Sequence, residues 1–430
     1  MALSGWFVAL LALGIIPVIW ANDPIALLGW IVLVVLLGAV DLLAAGSPRN
    51  VAVTRELPER VRLGETARST LYLSNAGKRR VRGIVRDAWE PSAGASPTRA
   101  RISIPAGERR AISTDLAPFR RGERRAAQVT VRSFGPLGLV ARQATIALDG
   151  AIRVLPAFNS RKHLPSRLAR LRELDGRTSV MIRGQGTEFD SLREYVRGDD
   201  VRSIDWRATA RRQDVVVRTW RPERDRRVVI VIDSGRTSAA RVNNETRIDT
   251  AFESSLLLAA LASRAGDRVD LVVYDRRVRG RVQGATGADL LSRMVNVMAP
   301  IDPELIEMDW TAVPSLVRSV TNQHSLVVLL TSIDAPGASR GLLSTLPQLT
   351  RRHTVLVAAV TDPAVLASTA DRSDLGAVYR AAAAERAMLD TARVSAAIRQ
   401  LGADVITGAP LELPPAVADR YIALKAAGRL

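Results

Sequence analysis

The 430-residue chain reads as a multidomain protein: two N-terminal transmembrane helices, an all-β sandwich, and a doubly wound α/β domain. Three observations predict this. Two apolar runs open the chain; short alternating runs broken by Gly/Pro turns continue to about Pro156; and from Arg227 onward continuous Val/Ile/Leu strands alternate with helical segments.

The first element is a membrane hairpin over residues 1–48. Residues 2–20 carry no charge, and the run from 25 to 45 is interrupted only by Asp41. At about 1.5 Å per residue each run can cross a hydrocarbon layer of roughly 30 Å. The connecting "ANDP" is a tight turn, and Trp6 and Trp20 lie near the ends of the first run, where indoles favour the interface. Arg49, Arg55, Arg60 and Arg62 follow the second run. Positive charge stays on the cytoplasmic side, so the expected topology is two spans in the cell membrane with the bulk of the chain in the cytoplasm. A cleaved signal peptide would carry a basic start and a shorter apolar core, with no second span close behind.

Residues 49–156 form the second element. Runs such as "VAVTREL", "RISIPAG" and "AAQVTVRSFGPLGLV" alternate apolar with polar residues, and "SNAG", "PAG", "RRG" and "GPLG" mark turns. This spacing suits an antiparallel, Ig-like sandwich that spaces or binds. Residues 157–226 read as a basic connector, partly helical. The last element, 227–430, begins with the buried strand "RRVVIVID" and continues through "DRVDLVVYD", "SLVVLLTS", "HTVLVAAV" and "ADVITG", with helices between them. Such strands build a parallel sheet covered on both faces, whose functional edge lies at the strands' carboxyl ends.

Composition excludes several chemistries. There is no cysteine, so disulfides, thiolate zinc sites and cysteine nucleophiles are out. Three histidines, His163, His324 and His353, stand far apart in no ligand spacing. The net charge of +18 is concentrated in residues 49–230, which hold 39 basic against 20 acidic side chains. That region could face anionic lipid, nucleic acid or an acidic partner. Nearly every cation is arginine, beside abundant Ala and Val, which points to compositional bias and argues against a nucleic-acid partner. No Gly-x-x-x-x-Gly-Lys-Ser/Thr phosphate loop, nucleophile elbow or zinc-protease helix occurs.

At the end of the first α/β strand stands "DSGRTS", Asp233 to Ser238. This resembles the von Willebrand factor A-like domains, whose Asp-x-Ser-x-Ser motif joins a Thr and an Asp from later loops to hold a hard cation with oxygen ligands. Asp233 and Thr237 match the first and third positions, Gly235 stands where the middle Ser belongs, and Thr286 in "GATG" is the candidate second-loop hydroxyl. Ser332 occupies the position of the later Asp, with Asp334 two residues on. The resemblance therefore implies a degenerate metal site: Mg2+ is the ion it would take, and no cofactor is required. The alternative reading of the same loop is Mg-dependent nucleotide or phosphate chemistry, and the plain one is that Asp233 caps the following turn.

The densest charged stretch is "GQGTEFDSLREYVRGDDVRSIDWRATARR", Gly184 to Arg212. Gly198-Asp199-Asp200 is a turn with a ready N-cap, starting a short helical piece through Ile204 and Trp206, both expected to bury against the α/β core. Asp199, Asp200 and Asp205 can pair with Arg193, Arg202, Arg207 or Arg211. Glu188 and Asp205 could be read as an acid/base pair, but so many arginines would hold both ionised, which suits a brace or a partner surface better than catalysis. From Gly184, Gly186, Glu188 and Phe189 to Trp206, Thr209, Ala210 and Arg211, the stretch closely resembles the signature of the bacterial family catalogued as domain of unknown function 58. The "GPLGL" and closing "YIALKAAGRL" segments share the resemblance. What it implies is a membrane-anchored protein of a family with no established enzymatic activity, found with MoxR-type AAA+ ATPases and acting in assembly or maturation of other complexes. The expectation is therefore a non-enzymatic scaffold with no catalytic residues, partnered by such an ATPase or other membrane-complex proteins.

Overall fold

The computed structural model describes residues 2–21, 24–181, 188–212, 214–221, 226–334, 337 and 339–430. It is mixed α/β and divides into two compact units, Met1–Leu155 and Pro156–Leu430.

The first unit opens with helices α1 (Gly5–Ala12), α2 (Ile15–Ala21) and α3 (Pro24–Ala44). The first apolar run is thus broken at Leu13 and Gly14. The cause is Pro17, which has no N–H to donate to the Leu13 carbonyl and whose ring crowds it. Trp30 of α3 packs into the break, where a Cβ on Gly14 would run into its indole and its ring N–H donates to the Leu10 carbonyl at 3.0 Å. Among the described residues one helix, the segment containing α3, is long and apolar enough to cross a membrane. The first run supplies only shorter helices.

Two sheets follow, antiparallel except where Arg60–Arg62 runs parallel to Arg153–Leu155. β1 (Val51–Glu56), β2 (Ala67–Asn75), β3 (Val81–Trp89), β4 (Arg99–Ile104), β5 (Arg109–Leu116), β6 (Gly122–Phe134) and β7 (Val140–Leu155) alternate buried and exposed residues, as half-buried strands must. One sheet runs β7-β6-β3-β4, and the other runs β1-β2-β5. Their facing sides close one core: Leu71 and Leu73 of β2 join Val85 of β3, Ile104 of β4, and Val129 and Val131 of β6. A buried ion pair crosses the interior, Arg55 to Asp87 at 2.5 Å, with the Trp89 indole donating to the same carboxylate at 2.8 Å.

The apolar helix α3 is welded to this sandwich. Asp41, the one acid in the second apolar run, accepts backbone N–H bonds from Leu137 (2.7 Å), Leu139 (2.8 Å) and Val140 (3.0 Å). A Cβ on Gly135 would collide with Asp41, so the first glycine of "GPLGL" is there for close approach. Arg142 Nε donates to the Leu42 carbonyl at 3.0 Å and Arg79 donates to that of Leu43, which satisfies carbonyls left open at the helix end. The chain start returns to the same place, where Ala2–Leu3 pairs antiparallel with Val140 and Ala141.

In the second unit, α4 (Leu164–Met181) and α5 (Trp206–Arg212) accompany a hairpin of β8 (Glu188–Glu194) and β9 (Val216–Arg221). The main sheet comprises β10 (Arg227–Asp233), β11 (Arg268–Tyr274), β12 (Val278–Val282), β13 (Leu326–Leu330), β14 (Thr354–Val360) and β15 (Asp404–Gly408). Its order is β12-β11-β10-β13-β14-β15, parallel except for β12. The helices are α6 (Arg247–Arg264), α7 (Gly287–Met298), α8 (Val313–Val320), α9 (Arg340–Thr350), α10 (Pro363–Ser368), α11 (Leu375–Gln400) and α12 (Leu413–Ala426). Val229, Val231, Val327 and Leu329 face α8, α9 and α11 in one core, while α6 packs against α7 and α12 on the other face. The direction of winding reverses between β10 and β13, which opens a crevice at their carboxyl ends.

Candidate functional site

Asp233 ends β10 in that crevice and is only 4% exposed. Its Oδ1 accepts the Gly235 amide at 2.8 Å, and its Oδ2 accepts the Thr331 hydroxyl at 2.7 Å. Burial chiefly, together with the carboxylates of Asp275 and Glu307, pushes its carboxyl above the ordinary range against those two donors. Ser238 and Ser332 line the same small pocket, with Arg247 of α6. Arg247 forks onto Asp334, with one bond at 3.1 Å. Thr237 is half-buried in the 3-10 turn that follows the strand.

Thr286 is elsewhere. The antiparallel β12 carries the chain back to the amino edge of the sheet, where Gly284 N–H reaches Asp270 at 3.4 Å and Gly287 N–H reaches Ser263 at 3.2 Å. Asp233, by contrast, lies beside Tyr274 at the other end of β11. Thr331 is the hydroxyl that meets Asp233, because Leu330 pairs with Ile232 and the next residue falls alongside. The five oxygens expected around a cation are therefore not assembled. Both Asp233 oxygens already accept protein donors, Asp334 is engaged by Arg247, and that guanidinium lines the pocket a cation would enter. This donor set does not fit Mg2+.

Gly235 has a positive reason of its own. A Cβ there would lie 2.8 Å from the Ile306 carbonyl oxygen. The segment after α7 crosses the strand end through Glu304 N–H to the Ser234 carbonyl (3.0 Å), Arg236 N–H to Ile306 (2.8 Å), and Asp309 N–H to Asp275 (2.7 Å). Beneath it Asp275 is fully buried and accepts Ser234 Oγ at 3.2 Å, the Arg277 amide at 3.0 Å and Arg279 Nε at 2.5 Å. Burial alone would raise its carboxyl; the amides and Arg279 hold it below the ordinary range.

The signature stretch forms a separate, self-satisfied piece. Arg193 forks onto Asp199 at 2.6 and 2.7 Å, and Asp199 also takes the Val196 amide at 2.9 Å. These donors, Arg193 first, lower the Asp199 carboxyl. Asp200 caps a 3-10 turn by accepting Arg202 N–H at 3.0 Å. Asp205 caps α5 through the Arg207 and Ala208 amides, each 3.0 Å, and its other oxygen takes Arg218 at 2.9 Å. The Ala208 amide and Arg218 lower its carboxyl too, so it is held as an ion and not poised to give a proton. Arg218, not Arg207 or Arg211, is the cation that meets Asp205; the Ile204–Val217 bridge and the Asp205 N–H bond to the Val216 carbonyl at 3.0 Å lay the segment before α5 along β9 and bring it there. Glu188 opens β8 opposite Arg221 in the register.

Trp206 departs most from the sequence reading. It is 69% exposed, where burial was expected. The reason is positional: Asp205 fixes the first turn of α5, the interior of the hairpin is taken by Val216 and Val217, and Ile204 bridges Val217. Val196 and Val201 are 62% exposed beside it in sequence, and Arg197, Arg202, Arg207 and Arg211 are exposed as well.

Comparison with known proteins yields relatives without assigned activity. The chain is 26% identical to the uncharacterized protein Rv1480 of Mycobacterium tuberculosis, over 43% of this chain and 57% of that one. It is 26% identical to the uncharacterized protein YeaD of Bacillus subtilis, over 28% of this chain and 30% of that one. The match thus spans little more than half the length of the first relative. Among solved structures, the CARDB domain of the PF1109 protein from Pyrococcus furiosus aligns over 24% of this chain and 91% of its own, at 17% identity and a TM-score of 0.18. Residues 191–399, from the Arg193–Asp199 hairpin through the Asp233 crevice and most of α11, match the family described as "Protein of unknown function DUF58".

Proposed function

We propose that this chain is a membrane-anchored scaffold: two N-terminal spans hold it, its bulk faces the cytoplasm, and its α/β unit is von Willebrand A-like. In this reading it is not an enzyme and works with a MoxR-type AAA+ ATPase in assembling or maturing other complexes. The observation that carries the reading is Trp206, left open to solvent in a stretch whose acids are already satisfied by Arg193, Arg218 and backbone amides. Exposed tryptophan with neighbouring arginines is the composition of binding hot spots, and a brace would have buried it. Sheet order with a single antiparallel edge strand supports the von Willebrand A-like assignment. The anchored α3 and the arginines after it support the topology.

The test is purification of the intact chain from its native membranes in mild detergent. The expected result is co-purification of a MoxR-type ATPase at near-equal amounts. Recovery of the chain alone, with Mg2+ and nucleotide bound to it, would favour phosphate chemistry at the Asp233 loop instead.

A further inference from the structure

We infer that the end of the β-sandwich that grips α3 is a docking surface for anionic phospholipid headgroups, formed by Arg49, Lys78, Arg79 and Arg80. The inference rests on the membrane-anchoring part of the proposed function and goes beyond it.

The geometry is local to the first unit. The segment leaving α3 runs alongside the β2–β3 turn: the Ala76 amide donates to the Asn50 carbonyl at 3.0 Å, and a Cβ on Gly46 would strike the Arg80 backbone. Arg79 donates to Leu43, in the last turn of α3. The basic turn is thus fixed within a turn or so of the end of α3, among the described residues the one helix long and apolar enough to span a bilayer. All four cations are exposed. Glu108, an acid at this end, is paired with Arg110 at 3.3 Å. Asp41 is buried under three amides and offers no counter-charge at the surface.

A lipid partner fits better than nucleic acid for one reason. Cations pinned beside a membrane helix sit where headgroup phosphates are, and each Lys or Arg within a Debye length of an anionic leaflet adds to binding. Leu137, 56% exposed in the turn whose amides hold Asp41, adds an apolar contact at the same level. The sandwich is therefore held against the bilayer surface, and not only tethered near it.

The experiment uses the full chain in nanodiscs of phosphatidylcholine with a minor fraction of phosphatidylglycerol, and reads the lipids retained by native mass spectrometry. Wild type is expected to enrich phosphatidylglycerol. The triple variant Arg49→Gln, Lys78→Gln, Arg80→Gln is expected to lose that enrichment, by roughly fivefold for each cation removed. Arg79 is left alone because it also caps α3. Equal retention of the two lipids by wild type, or an unchanged triple variant, overturns the proposal. A variant that keeps its lipids but loses binding to a DNA duplex overturns it in favour of nucleic acid. Extraction of wild type from membranes by alkaline carbonate would overturn the anchoring reading itself, whereas retention in carbonate with no lipid preference sinks only this inference.

Discussion

At Asp41 a single carboxylate in an apolar run is explained by three backbone amides and a glycine that makes room for it. Asp41→Ala strips those buried amides of their acceptor, and each orphaned group costs about 1–3 kcal/mol. Detergent-solubilised Asp41→Ala should unfold at distinctly lower denaturant than wild type, and Gly135→Ala should behave alike; an unchanged midpoint in both would refute the anchor. Glu245 gives a second test at this scale. Burial first, then the neighbouring carboxylates of Glu253 and Asp249, push it up to about 7. An acid whose folded pKa is raised stabilises the fold when protonated, and that contribution disappears as pH rises through the folded value. Stability should therefore fall between about pH 4.5 and 7, with a slope approaching ~1.4 kcal/mol per pH unit from this group. Glu245→Gln should flatten that segment of the stability curve, and an identical pH profile in the variant would contradict the assignment.

Among the elements, the hairpin with α5 and the closing helix α12 are held by contrasting means. Asp199 and Asp205 have lowered carboxyls, so their contribution is present above the ordinary carboxylate range and is lost as pH falls through the folded values. Asp205→Ala should expose Arg207 and Arg211 to trypsin severalfold faster while leaving the α/β core folded. Helix α12 is pinned by Asp267, which takes Tyr421 Oη at 2.5 Å and Lys425 Nζ at 2.8 Å in a buried site. Asp267→Ala strips that lysine of its counter-charge, leaving it only neutral acceptors such as the Ala265 carbonyl, and should cost about 3–5 kcal/mol in chemical denaturation. These elements also mark what the sequence could convey. Strand and helix alternation after Arg227 and the period-two runs before Pro156 were legible because burial writes itself into the apolar pattern. One unbroken apolar run was expected through Gly14, although Pro17, which cannot bond the Leu13 carbonyl, is a local signal of the break. Thr331 and Thr286 exchanged places relative to expectation because register and the direction of β12 decide which loop reaches Asp233. Trp206 was misplaced because a tryptophan signals burial on average, and only the filled hairpin interior leaves it outside.

The molecule as a whole presents two kinds of surface, one in each unit. The first carries an apolar helix and a cationic end suited to a bilayer. The second carries a closed strand end at Asp233 and an open tryptophan at the signature hairpin. We propose that the signature hairpin binds a protein partner and does no chemistry. The most direct measurement is the affinity of the purified full chain for a purified MoxR-type ATPase, compared between wild type and Trp206→Ala. Loss of an exposed hot-spot tryptophan should weaken binding by about 2 kcal/mol or more, roughly thirtyfold, with no change in thermal midpoint, since Trp206 buries little in the free chain. Unaltered affinity in a normally folded Trp206→Ala chain would contradict the account.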